Sequence, residues 1–421
     1  MKRLLIPIFL VLSLVLGAQE KDPVLFAEYQ ENVFRTATNM DPYEYLPGPQ
    51  TAAPKGYKPF YISHYGRHGS RSNWEGKMYA DILEKYNRAH EAGILTAEGE
   101  AAREQIAEAV RLHDHMDGRL TRLGQQEHRE IAARMYENYK EVFTKGSKKV
   151  SAISSMVPRC IISMNAATAK LQSLQKDLDI RWDTGETFQK YISSDHTREA
   201  RAGIHRIMAD YWKQHKPDPA AFCAKVFTDQ AKAREIIGSR TEFMQNTFNM
   251  ATTCPAFELD DRLFRLFSAD ELYWYAQAIA MNFYLGQCNS VEFGDERMER
   301  ARPGLVDIVT KADAAIATGE FCADLRYGHD YQVLALASLL GFEGVAERLD
   351  ASSCVNWPGW RYTPFAANIQ LIFYRNKEGN VLVKPLLNER EIRIIGLKGG
   401  PYYDWEDYKT YLGLGISYHR N

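Results

Sequence analysis

The sequence predicts an α/β protein, a core sheet flanked by helices with an inserted, mainly helical cap domain. Three observations carry this. Strand-like runs at 60–62 and 148–154, with β-branched or aromatic residues, and a short strand leading to Gly328 each pass into a segment of helical spacing, the pattern of strand-then-helix units. From about 189 to 320 that alternation stops and only helical patterns remain. After residue 368 short alternating apolar runs return, separated by turn residues, as in an antiparallel meander. The expected division is a core part at 20–188, the helical insertion at 189–320 and a second core part at 321–421.

Residues 1–19 read as a signal peptide. Lys2 and Arg3 form a positive start, Leu4 to Leu16 is apolar, and Gly17 and Ala18 are small enough for cleavage. The apolar run is shorter than the roughly 20 residues of a membrane span, and no later stretch reaches that length. The expectation is an exported protein, periplasmic or secreted. With 52 basic and 54 acidic residues there is no global field for nucleic acid or a membrane surface, so any anion site must be local. The six cysteines, Cys160, Cys223, Cys254, Cys288, Cys322 and Cys354, lack metal-ligand spacing. In an oxidising compartment their even number leads us to expect one or two disulfides.

Residues 20–58, rich in Pro, Asn, Asp and Gly, read as a surface wrap with one short helix at 24–32. The strand at 60–62 then runs into Gly66-Arg67-His68-Gly69-Ser70-Arg71. Two arginines, a histidine and two glycines make a poor strand and a poor helix. Arginine forks suit a tetrahedral oxyanion. The charge beside His68 disfavours the imidazolium, so its ring should be a free nucleophile near neutral pH. Gly66 and Gly69 are expected to let the backbone turn sharply and approach a ligand. Together these residues describe a phosphate cradle containing a nucleophile.

Helical patterns follow at 75–92 and 96–116, the second opened by a capping pattern at Thr96. His113 and His115 read as partly exposed histidines, not ligands. Thr121 is a plausible N-cap for a helix running to about 143. After the strand at 148–154, Ser154-Ser155-Met156-Val157-Pro158-Arg159 opens another helix, a second place suited to an anion. In the insertion, helices are expected at 194–213, 218–237, 240–249 and 269–285. Phe264, Phe267, Tyr273, Trp274 and Tyr275 read as helix-packing core, and the charge run at 296–302 as a solvated face. Gly328-His329-Asp330 then ends a strand and opens an apolar helix stopped by Gly341. Strands at 368–375, 380–387 and 391–395 and a helix at 402–412 complete the chain.

Arg67-His68-Gly69-Ser70-Arg71 resembles the signature of the histidine acid phosphatases, which include phytases, glucose-1-phosphatases and multiple inositol polyphosphate phosphatases. Leu120-Thr121-Arg122-Leu123-Gly124 resembles the Leu-Thr-x-x-Gly-x-x-Gln segment that follows the signature in that family. His329-Asp330 resembles its second signature. One departure is Asn73, where the family often has proline. Another is the acid position, which in the multiple inositol polyphosphate phosphatases is usually His-Ala-Glu and here is His-Asp followed by Tyr331. The resemblance implies a phosphoglycerate-mutase-like α/β core. It implies His68 as the nucleophile forming a phosphohistidine and Asp330 as the general acid. Arg67, Arg71, Arg159 and His329 would bind the phosphate, and no metal or other cofactor is implied. Inositol phosphates are the first substrate class to test and sugar phosphates the second. A phosphoglycerate-mutase-like transferase and a non-catalytic phosphate-binding protein are the competing readings. Intact His68 and Asp330 argue against the binder, and export argues against the transferase.

Overall fold

The structure, a computed structural model, describes residues 20–74 and 76–414. The expected signal peptide at 1–19 lies outside the described residues. Eight strands form one sheet: β1 (Lys58–Arg67), β2 (Lys149–Ser154), β3 (Asp179–Asp183), β4 (Phe321–Gly328), β5 (Asn368–Arg375), β6 (Val381–Leu387), β7 (Arg390–Glu391) and β8 (Tyr403–Asp404). Their order is β3-β2-β4-β1-β5-β6-β7, with β8 also on β6. The first four are parallel, and β5 and β6 add an antiparallel half as the sequence predicts.

The chain enters through α1 (Pro23–Glu31), whose N-terminus Asp22 caps by accepting from the Leu25 N–H. α2 (Gly76–Glu91) and α3 (Ala97–His113) follow β1, the second capped by the Thr96 hydroxyl. α4 (Arg122–Asn138) starts on Thr121 as expected but breaks at Tyr139, leaving α5 (Lys140–Thr144) as a separate short turn. α6 (Pro158–Leu174) follows β2. Between β3 and β4 come α7 (Gln189–Ile192), α8 (Arg198–Gln214), α9 (Pro219–Val226), α10 (Gln230–Ile237), α11 (Arg240–Ala251), α12 (Ala269–Gln287) and α13 (Gly294–Thr318). α14 (Asp330–Leu339) leaves β4, and α15 (Trp405–Tyr411) closes the described chain.

Alternation along β1 sends its side chains to two cores. Tyr61 and Tyr65 face α12, α13 and α14, packing with Tyr284, Leu305, Ile308 and Leu336. Ile62 faces the other way, onto a layer containing Phe143, Met164 and Leu171. A third apolar body joins α2 and α3 to the α9–α11 helices through Ile82, Tyr86, Ile106, Phe222, Phe243 and Phe248. Each such fully buried side chain contributes about 1.5–3 kcal/mol. Phe264, Phe267 and Tyr275 pack in this third body, the core role expected of that aromatic stripe.

Several expectations are corrected. The predicted helix at 218–237 is two helices, because Asp229 caps α10 and restarts it. β3 was not anticipated, since only Ile180 of its five residues is buried and the strand carries little apolar pattern. Of the strand expected at 391–395, only Glu391 pairs with β6; Ile394 bridges to Phe342 instead. The charge run at 296–302 lies within α13, and Arg297 is buried inside it. Its guanidinium donates to the Tyr331 and Ser194 carbonyls and to Gln287 Oε1. His113 is also buried, edge-on to Tyr79 at 4.4 Å. All six cysteines are buried free thiols, so the expected disulfides are absent among the described residues. The fold already has large cores and needs no covalent staple.

The register of the parallel strands positions the site. Arg67 of β1 lies opposite Gly328 of β4, and Tyr327 lies opposite Ser154 of β2. All three strands therefore end at one edge, and His68, Ser155 and His329 are the first residues beyond it. This is where open α/β sheets place ligands.

Candidate active site

His68 is pinned through its backbone. Its N–H donates to Gly328 O at 2.9 Å, and its carbonyl accepts from Ala366 N–H at 3.0 Å. Ala366 holds this contact with φ 54°, a left-handed conformation uncommon for alanine. The His68 Nδ1 lies 2.9 Å from Gly69 O, so Nδ1 carries the proton and Nε2 keeps its lone pair. Burial lowers the His68 pKa well below 6.5, and Arg67, Arg159, Arg71 and His329 lower it further. The sequence attributes this shift to the arginines; burial is the larger cause.

Arg67 is fully buried at the end of β1. Its Nη1 donates to Thr363 O at 2.7 Å and to Asn39 O, and its Nη2 lies 2.8 Å from Asp330 Oδ2. Its guanidinium also sits 4.6 Å from the Phe365 ring centre, and the His68 ring is 6.0 Å from the same ring. Arg71 donates to Ser72 O at 2.8 Å, and burial with Arg67 and Arg159 pushes its pKa down to about 9. Arg159, in the first turn of α6, reaches Gly118 O only at 3.5 Å. Among the described residues, Arg67 Nε, Arg71 Nε and Arg159 Nε are buried without a hydrogen-bond partner, and Arg67 Nη2 has only the Asp330 carboxylate beside it. Orphaned guanidinium donors of this kind are costly unless an anion satisfies them.

His329 stacks on Tyr331 at 4.9 Å, and its Nε2 is 3.0 Å from Ser155 Oγ. Burial and Arg159 lower its pKa to about 4, so it is neutral over most of the working range. Its ring centre lies 5.8 Å from that of His68. Asp330 opens α14; its Oδ1 accepts from the Tyr331 N–H, and Asn39 Nδ2 lies 3.4 Å from Oδ2. The structure thus brings together all six residues singled out by sequence: His68, Asp330, Arg67, Arg71, Arg159 and His329.

The glycines have a different purpose from the one expected. Neither Gly66 nor Gly69 has a positive φ. A Cβ on Gly69 would lie 2.7 Å from Gly124 Cα and strike the Gly124 carbonyl, and one on Gly66 would lie 2.7 Å from His64 Cε1. They leave room where the cradle backbone meets Gly124 of α4 and the His64 ring, and neither takes the left-handed conformation of a sharp turn. Sequence reasoning also missed Glu127. This buried carboxylate accepts from Ser70 N–H at 2.7 Å, Ser70 Oγ at 2.6 Å and Tyr43 N–H at 3.0 Å. Thr121, Gly124 and Glu127 recur every third residue and form the helix face against the cradle, a spacing that would have revealed it. The stretch Thr363 to Ala367 also resembles the family but gave Phe365 no role, and Asn39, in the 3-10 turn Val33–Met40, carried no signal.

The chain has the fold of the histidine acid phosphatases. It is similar to the Bifidobacterium longum multiple inositol polyphosphate phosphatase solved with inositol hexasulfate, with a TM-score of 0.71 and 18% identity over 90% of this chain and 97% of that one. It also resembles the phytase from D. castellii, with a TM-score of 0.63 and 15% identity over 91% and 85% of the two chains. The Klebsiella sp. ASR1 phytase superposes with a TM-score of 0.52 and 12% identity over 85% and 95%. No family model and no curated protein sequence matches the chain.

Proposed function

We propose that this chain is an exported phosphatase that hydrolyses inositol polyphosphates through a phosphohistidine on His68. The observation carrying this reading is the set of unpartnered guanidinium nitrogens on Arg67, Arg71 and Arg159 around a neutral His68. Phosphate oxygens satisfy those donors, and the arginine charge stabilises the equatorial oxygens in the transition state. His68 Nε2 attacks phosphorus in line as the P–O bond to the alcohol breaks. Asp330 gives its proton to the leaving alkoxide. Water then attacks the phosphohistidine, Asp330 takes a proton from it, and the P–N bond breaks to release phosphate and restore His68. The inositol hexasulfate held by the Bifidobacterium longum relative supports an inositol polyphosphate over a sugar monophosphate. Export rests on the pattern at residues 1–19.

The test is phosphate release from inositol hexakisphosphate, glucose-1-phosphate and p-nitrophenyl phosphate by the purified protein with EDTA, between about pH 3 and 8, beside His68→Ala. Release with EDTA present, lost in the variant, with inositol hexakisphosphate preferred, is the expected result. Absence of release from every ester would reduce the site to a binding pocket. Preference for glucose-1-phosphate would transfer the substrate class to sugar phosphates. N-terminal sequencing of protein recovered outside the cytoplasm tests export.

A further inference from the structure

Three residues beyond the cradle, Trp74 is 56% exposed, yet two buried cations lie on it. The Arg71 Cζ is 4.4 Å from its ring centre and the Arg159 Cζ is 4.3 Å from it. No carboxylate lies within ion-pair distance of either guanidinium among the described residues. Their protein hydrogen bonds amount to one carbonyl each, and that of Arg159 is long. Two like charges thus share one aromatic neighbour. The electron-rich indole lies against both.

The indole is itself held in place. Asn73 Oδ1 accepts from the Trp74 backbone N–H at 2.8 Å. The Asn73 carbonyl accepts from the Gly118 N–H at 2.7 Å, which closes the 114–118 turn against the loop. A Cβ on Gly118 would lie 3.3 Å from Trp74 Cε3, so the turn backbone packs directly on the ring. Asn73 therefore fixes the backbone from which the indole projects.

We propose that Trp74 is a positioning residue, which holds Arg71 and Arg159 in their phosphate-binding geometry before substrate arrives. This rests on the proposed reading of the cradle. The indole offsets the repulsion between the two cations, so binding does not have to gather them. Without it the two guanidiniums separate in the free protein, and each phosphate must bring them back. The cost falls on binding of the phosphoryl group in the ground and transition states alike. It therefore appears in KM and in the affinity for inorganic phosphate more than in kcat.

The test compares wild type, Trp74→Leu, Trp74→Gln and Trp74→Phe. Calorimetry measures binding of inorganic phosphate, and steady-state kinetics measure hydrolysis of p-nitrophenyl phosphate. Leu and Gln are each expected to weaken phosphate binding and raise KM about tenfold, with kcat changed by no more than about twofold. Phe, which keeps a π face, recovers most of the loss. Wild-type values in both Leu and Gln would overturn the proposal. So would a Phe variant as weak as Leu, or a fall in kcat as large as the rise in KM. The Gln variant keeps the test open if Leu lowers solubility. A wild-type protein that neither binds phosphate nor turns over the ester fails the cradle reading itself, and this is seen before any variant is compared.

Discussion

Asp330 Oδ2 lies 2.8 Å from Arg67 Nη2, joining the last residue of β1 to the first residue of α14. Arg67 is fully buried, whereas the Asp330 side chain keeps 14% exposure toward the site. The approach is close but off the hydrogen-bond axis, so Nη2 remains a free donor for an incoming oxygen. Burial by itself would raise the Asp330 pKa, but Arg67, His329 and Arg71 outweigh it and hold the carboxyl below the usual range. A carboxylate held this way is ionised before substrate binds. In the proposed mechanism a phosphate dianion would reverse the local charge and raise its pKa, so the proton for the leaving group would arrive with binding.

Binding of inorganic sulfate, which stays a dianion at about pH 5.5, is therefore expected to take up protons, measured by calorimetry in buffers of different ionisation enthalpy. Asp330→Asn removes part of that uptake. In turnover the same variant is expected to slow inositol phosphates by about 10²- to 10⁴-fold and p-nitrophenyl phosphate far less, because nitrophenolate leaves without a proton. Equal proton uptake in variant and wild type would remove Asp330 from this role.

Glu127 ties α4 to the cradle and to Tyr43. Burial raises its pKa, and the hydrogen bonds from Ser70 and Tyr43 hold back that rise. Glu127→Ala strands the Ser70 and Tyr43 N–H groups and is expected to cost roughly 2–4 kcal/mol of stability, with a lower urea midpoint. Glu127→Gln keeps an acceptor oxygen and is expected to lose less than half as much.

His64 and His128 flank Tyr327 beneath the cradle, and both are buried. Burial lowers each pKa from 6.5 to about 3, and His64 is lowered further by His128 and Arg326. Between those values the unfolded chain binds protons that the folded chain does not. Their stabilising contribution is complete above about pH 6.5 and is lost as pH falls toward 3. The melting temperature of the wild type should decline through this window. The decline should be shallower in His128→Gln, and an unchanged slope would refute the assignment.

Burial also pushes all six thiols up, Cys160 to about 12. Thiolate, not thiol, is the reactive form. A thiol reagent such as Ellman's is expected to find none of them in the native protein and all six in guanidinium. Reducing agent should leave the melting temperature unchanged. A shift on reduction would restore a disulfide.

The sequence by itself determined which residues to look at: the Arg67-His68-Gly69-Ser70-Arg71 run, Arg159 at a helix start and the His329-Asp330 pair. Each of these is a short contiguous stretch, and strand, cap and helix patterns depend on neighbours in the chain. Tertiary structure decided what lies against them. The β1–β4 register set His68 beside His329, and no local pattern specifies which strands pair or at what offset. The same packing assigned Phe365 and Trp74 to arginine faces, Glu127 to the cradle amides and Arg297 to the interior. It also left six cysteines buried and unpaired where their even number implied bridges. Burial and pairing between distant residues arise from the whole packed core, so they stay invisible until the chain is folded.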